Sequence, residues 1–360
     1  MAGEEITILT KILNNAVENQ STDIHLAVGS YPFVRVKGRL LTLTEDGLLT
    51  PEMISGLVDF LVPIDKKPLL EKQKDLTYIY TWQGKIRFRI NIFKQKGYFG
   101  IAFKLVNQQI KTIKDLNLPE AVEALAKTHQ GLIFITGPFN SGRTATLNAI
   151  IETINQTRSE RILYLEEPIE HLFFNNKSII EQREVGVDVE SFTKCLDMIK
   201  EEDINVVAVA KVDNVDTLER LFELAESGRL VLAVLNYSSV VTALSGLVSD
   251  FSDAKVPWAR NVLSNLLAGI IVQQLVPATD GGLALALEIL TSTPSVKTLI
   301  AEGSFSKLTS IIQTSKAEGM MSLDKSLADL VGRGKIAPAL AIENASDPKA
   351  MELNLRKTAW

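Results

Sequence analysis

The sequence is poor in the residues that build metal clusters and disulfides: it holds one cysteine and three histidines. A lone Cys195 excludes an internal disulfide framework and fits a reducing compartment. His25, His129 and His171 are scattered, so with that cysteine no metal cluster can be assembled by spacing. Long apolar runs are missing too, and none reaches the roughly 18 residues that indicate a membrane span. The opening Met1-Ala-Gly-Glu-Glu5 is acidic and lacks the basic region of a secretory signal. There is no strongly basic stripe. With 38 Lys and Arg against 43 Asp and Glu, the net charge is −5, which argues against nucleic acid as the main partner. No internal repeat or low-complexity segment is visible. What remains is a 360-residue chain, 46% hydrophobic, with material for two or three domains with real cores. The default expectation is a soluble cytoplasmic protein.

The informative stretch is Gly131 to Ile150. Leu132–Ile135 reads as a buried strand, Gly137–Gly142 as a tight loop, and from Arg143 the spacing turns helical, with Leu147, Ile150 and Ile151 on one side. Strand, glycine loop and helix form the context of a phosphate-binding P-loop. Backbone N–H groups turned inward and the positive helix end would hold an anion. The candidate cofactor-binding residues are Gly137, Pro138, Asn140, Ser141, Gly142, Arg143, Thr144 and Ala145, and Thr144 is the candidate hydroxyl for Mg²⁺. Arg143 stands where the pattern has Lys. A wide planar guanidinium does not replace a compact ammonium in a tight site. A strand-to-helix turn that binds nothing would look the same on this stretch alone.

Along the chain, residues 3–17 have helical spacing, 21–26 and 31–38 read as short strands with a turn at Gly38, and 51–61 reads as a helix with Pro51 in its first turn. Residues 75–80, 85–93 and 99–105 alternate as strands; Lys85, Arg87 and Arg89 share one face, and Ile86, Phe88 and Ile90 the other. The stretch 106–118 is polar and reads as a linker. Beyond the P-loop the rhythm becomes strand–helix alternation, the mark of a mainly parallel sheet. Strands are expected at 161–165, 178–182, 205–209 and 230–235, and helices at 190–200, 216–227, 240–249 and 259–270. From Pro294 the chain reads as wholly helical, at 294–302, 304–315, 322–332 and a short final helix, with fraying from Asp347.

Three constellations could carry chemistry. Leu165-Glu-Glu-Pro-Ile-Glu170 places carboxylates at a strand end, where Mg²⁺ and an attacking water would be handled. A solvated acidic turn is the alternative. Asn205–Asp213 is an apolar strand of Walker B shape, but its first polar residue is Lys211, and the acid Asp213 comes two residues later. Lys211 could lie against phosphate, pair with Glu166 or Glu167, or simply reach solvent. Arg87 and Arg89 could stabilise phosphate charge from a neighbouring domain or subunit, or could form a solvated strand face.

Taken in order, these pieces resemble the PilT-like type IV pilus retraction ATPases of the secretion ATPase superfamily. The resemblance runs from about Asp23 to Asp324. It is carried by Ser21–Leu26 with Pro32–Gly38, Arg87-Phe-Arg-Ile-Asn-Ile-Phe93, Leu165–Glu170, Gln182-Arg-Glu-Val-Gly186, Ala225-Glu-Ser-Gly-Arg-Leu-Val231, Ser292–Ile300 and Ile311–Asp324. It implies an α/β fold: a RecA-like P-loop domain with a mainly parallel sheet at 119–290, preceded by a small α+β PAS-like domain at 1–105 and a linker at 106–118, and followed by a helical segment at 291–360. It also implies ATP and Mg²⁺ as cofactors and a hexamer, with itself or with a PilT-type motor. Such a ring would dock on an inner-membrane pilus platform protein, at the cytoplasmic face and only peripheral to the membrane.

The departures from the family pattern bear most on function. Arg143 replaces the Walker A lysine, Lys211 the Walker B acid, and Asn236 the histidine of the His box. Asp197 and Glu201 replace two arginines, and Lys297 a third. The loop glycines, Thr144, Glu166, Arg87 and Arg89 remain, and Glu166, Arg87 and Arg89 are the candidate catalytic residues. Removing one phosphate- or metal-handling group costs several kcal/mol of transition-state stabilisation. The expectation is therefore an ATPase-family subunit with weak or lost hydrolysis, binding nucleotide weakly or not at all, and acting as an interaction or regulatory component of the pilus (twitching motility) machinery. The alternative is an active hexameric retraction motor in which Arg143 supports phosphate and Glu166 polarises water. A nucleic-acid-dependent RecA-like enzyme is disfavoured by the acidic balance.

Overall fold

A computed structural model describes residues 2–19, 21–36, 39–106, 109–212 and 214–358. The expected turn at Gly38 and the acid Asp213 lie outside the described residues. The chain forms two compact units, Met1–Gln109 with Glu170–Leu172, and Ile110–Ile169 with Phe173–Trp360.

The first unit runs α1 (Ala2–Glu18), β1 (Asp23–Ala27), β2 (Phe33–Val36), β3 (Arg39–Thr42), α2 (Pro51–Leu61), α3 (Lys67–Gln73), β4 (Asp75–Trp82), β5 (Ile86–Gln95) and β6 (Tyr98–Val106). Its strands pair antiparallel in the order β3-β2-β1-β6-β5-β4. Leu9, Ile12, Leu13 and Ala16 recur at helical spacing and are buried, which fixes the face of α1 turned to the core. Pro51 opens α2 where a missing N–H costs nothing, and Thr50 caps it by accepting from the Met53 N–H. On β5, Phe88, Ile90 and Ile92 are fully buried while Arg87, Arg89 and Asn91 occupy the opposite face, as strand alternation requires. Two elements carry no sequence pattern: β3, exposed throughout, and the seven-residue α3.

The second unit runs α4 (Glu120–Ala126), β7 (Gly131–Thr136), α5 (Arg143–Thr157), β8 (Arg161–Glu166), β9 (Ile179–Glu184), α6 (Phe192–Met198), β10 (Val206–Val209), α7 (Val215–Glu226), β11 (Leu230–Val234), α8 (Val240–Ser249), α9 (Val256–Leu266), β12 (Leu267–Pro277) and β13 (Leu283–Thr291). The helices α10 (Pro294–Glu302), α11 (Leu308–Thr314), α12 (Leu323–Gly332), α13 (Pro338–Asn344) and α14 (Pro348–Thr358) follow. The strand order is β13-β12-β7-β11-β10-β8-β9, parallel except for the β12–β13 pair. The inner strands β7, β10 and β11 are buried along their whole length, because helices cover both faces; they therefore read as continuous apolar runs. Ile113 and Leu118, in the polar stretch before α4, are buried in one of this unit's cores.

Two expectations fail here. The helix expected over 259–270 ends at Leu266, and Leu267 opens a long hairpin. The run Leu267-Ala-Gly-Ile-Ile-Val272 is buried on both faces, so it lacks alternation, and periodicity cannot separate it from a buried helix. The C-terminus does not fray from Asp347. It forms α14, anchored by Met351, which is buried with Leu327, Ile336 and Ala341.

Candidate functional site

The parallel strands β7, β11, β10 and β8 deliver four loops to one edge of the sheet, the place where ligands bind in open α/β sheets. After β7 the backbone turns at Gly137 with φ +149°, and a Cβ there would lie 2.2 Å from the Gln273 carbonyl oxygen and 2.6 Å from Ser141 Oγ. Asn140 adopts a left-handed conformation (φ 62°), which asparagine tolerates well. Gly142 (φ 85°) is the N-cap of α5 and supplies no side-chain cap. The first-turn N–H groups of α5 are thus left for an anion, at the positive end of a 15-residue helix.

Arg143 does not turn into this cradle. Its guanidinium donates to the Leu235 carbonyl and to Asn236 Oδ1, both at the end of β11. Partial burial draws its pKa below the ordinary arginine value. Arg143 and Asn236, 93 positions apart, are therefore each other's partners. The Tyr237 backbone closes the same corner, donating to Thr136 Oγ1 at 2.7 Å and accepting from it at 2.9 Å.

Glu166, the last residue of β8, is buried and accepts from Gln182 Nε2 at 2.9 Å. Its neighbour Glu167 is the partner of Lys211, at 3.3 Å and half-exposed. Arg87 and Arg89 belong to the first unit with Glu170: Arg87 donates to the Glu170 carbonyl at 2.9 Å, and Arg89 to its carboxylate at 2.8 Å. Asp197 pairs with Lys200 at 2.8 Å and Arg220 at 2.6 Å, and these cations hold its carboxyl below the usual range. Glu201 is exposed in the turn after α6.

Sequence reasoning missed Thr146 and Gln273. Thr146 Oγ1, Gln273 Oε1 and Ser141 Oγ are buried and have no hydrogen-bond partner among the described residues. All three residues line a cavity of about 650 Å³ beside the loop, with Leu275, Leu285 and Met321 among its apolar walls. A Gln-Gln pair inside the apolar run 267–276 was the available signal.

These residues fit a phosphorylated ligand. A cradle that a Cβ would fill, an uncapped helix start and three orphaned polar atoms in an adjoining cavity all ask for one. They do not fit a divalent cation. Thr144 offers one hydroxyl, the acid at the end of β8 is bonded to Gln182, and the end of β10 presents an ammonium.

The family model described as "Type II/IV secretion system protein" matches residues 83–312. The chain belongs to this family. It is 29% identical over 341 residues to the type IV pilus retraction ATPase PilT of Pseudomonas aeruginosa, covering 95% of this chain and 99% of that protein. It is 28% identical to the type IV pilus ATPase PilU of the same organism, covering 96% and 91%. A crystal structure of the pilus retraction motor PilT with bound ADP superposes with a TM-score of 0.86 at 34% identity, over 95% of this chain and 98% of that one. The fold is PilT-like, and the chain is a PilT/PilU-like member of the type IV pilus ATPases. Among the described residues, no helix is long and apolar enough to cross a membrane.

Proposed function

We propose that this PilT-like chain holds a nucleotide, turns it over slowly or not at all, and serves as an interaction or regulatory subunit of type IV pilus machinery. One observation carries the reading: the charge at the Walker A lysine position is committed to the end of β11, where Leu235 and Asn236 hold it. Catalysis of phosphoryl transfer is positioning plus electrostatics, so a cation engaged elsewhere does not stabilise a transferring phosphoryl group. Lys211, in place of an acid, cannot orient water as a base while protonated.

In this reading the backbone of Gly137–Ala145 takes the phosphates, and the cavity with Thr146 and Gln273 takes the rest of the nucleotide. Bound ATP supplies the phosphate charge that the loop grips. Glu166 is fixed by Gln182 and keeps the strand end shaped. The division into 1–105, 106–118, 119–290 and 291–360 follows the same reading, as does assembly into a hexamer, alone or with a PilT-type motor, on a platform protein at the cytoplasmic face of the inner membrane. Malachite-green measurement of phosphate release from the purified chain tests it. Release at the level of the protein-free control is the expected result. Steady release abolished by Glu166→Gln would instead make the chain an active motor with unusual residues.

A further inference from the structure

We propose that nucleotide binds this chain without a divalent cation, with the Lys211 ammonium in the place of the metal's charge. The inference rests on the nucleotide-holding reading and specifies the ligand form: free nucleoside di- or triphosphate rather than its magnesium complex.

The cradle at Gly137–Gly142 is built for phosphate, but phosphate oxygens carry several negative charges that P-loop sites balance with a lysine and a magnesium ion. Here the Walker A position gives no free cation, since Arg143 is bonded to Leu235 and Asn236. A magnesium ion would have to sit by an ammonium, and hard divalent cations need oxygen donors and repel positive neighbours. Glu167 faces the Lys211 ammonium, so a metal ion beside it would meet that positive charge. Glu166 is 1% exposed and bonded to Gln182.

Lys211 itself is available. Its side chain is 52% exposed and Glu167 49%, and an exposed single-contact ion pair is worth little. A phosphate with more charge than a carboxylate outcompetes Glu167 at small cost. The register supports this placement: β10 pairs with both β8 and β11, and Ala210 donates to the Leu165 carbonyl while Val212 donates to the Val234 carbonyl. Lys211 sits between those two anchors, its backbone held on either side and its side chain half-exposed against Glu167.

The test is equilibrium titration of the full chain with a fluorescent ATP analogue, in magnesium and in EDTA. The Kd is expected to agree within about threefold between the two conditions. Lys211→Gln should weaken binding in EDTA by about tenfold, and Lys211→Glu by more, while making the remaining affinity depend on magnesium. Magnesium tightening wild-type binding by more than about tenfold would overturn the inference, as would Lys211 variants that bind in EDTA like wild type. Absence of binding in both conditions would overturn the nucleotide-holding reading and this inference with it. Circular dichroism of the variants checks folding, which an exposed side chain does not govern.

Discussion

Arg143 and Asn236 should behave as a coupled pair. In the folded chain Arg143 gives donors to a carbonyl that cannot be mutated away and to an amide that can. Hydrogen bonds to charged groups contribute about 1.5–3 kcal/mol, but Asn236 is exposed, so the middle of the neutral range, about 1 kcal/mol, is the appropriate figure. Asn236→Ala should therefore cost about 1 kcal/mol in wild type and close to nothing in an Arg143→Ala background, a coupling of about 1 kcal/mol. The assay is urea unfolding followed by Trp258 fluorescence, in chains whose other two tryptophans, Trp82 and Trp360, are replaced by Phe. Trp258 packs on Phe222 and Phe251, so it reports the second unit. Additive costs, with coupling below about 0.3 kcal/mol, would mean that Arg143 is not held at Asn236 in solution and that its guanidinium is free to meet phosphate.

Reverting the pattern with Arg143→Lys, Lys211→Glu and Asn236→His together should raise phosphate release by about a hundredfold or more, while each single change does little, because groups that act as a unit are not additive. Release unchanged in the triple variant would show that these three positions do not set the rate. Gly137→Ala should lower the melting temperature by roughly 6–12 °C and abolish nucleotide binding, since the new methyl meets the Gln273 carbonyl and sits at positive φ. A wild-type melting curve would show that the turn is not packed as described. Glu288 has its pKa raised by burial, and further by Asp324, against the lowering effect of the Val240 N–H it accepts. The folded state thus keeps its proton to higher pH than the unfolded chain. Stability should fall as pH rises just above the ordinary glutamate range, and Glu288→Gln should flatten that slope in pH-dependent unfolding curves.

The amphipathic elements could be read from the sequence because each carries its burial in its period: Leu9, Ile12, Leu13 and Ala16 on α1, and Phe88, Ile90 and Ile92 on β5. The β12–β13 hairpin could not, since a strand buried on both faces shows no alternation and Gly269 resembles a helix interruption. At the site, glycine spacing revealed the loop, and charge complementarity anticipated the Lys211 pairing, which falls on Glu167. The Arg143–Asn236 contact joins residues brought together only by the parallel pairing of β7 and β11, and nothing local encodes it. Gln273 escaped for the same reason as its strand.

Gln273 also has a mechanical consequence. Its carbonyl lies so close to Gly137 that not even a methyl group would fit between them. The strand that carries it is zipped to β13, and β13 is joined in turn to the C-terminal segment, through the Ile289–Met321 bridge just before α12 and through the Leu287 N–H bonded to Ser326 on α12 at 3.0 Å. A partner that tugs on the last sixty residues would strain the turn where phosphate is gripped, and a ligand that stiffens the turn would be felt by that partner.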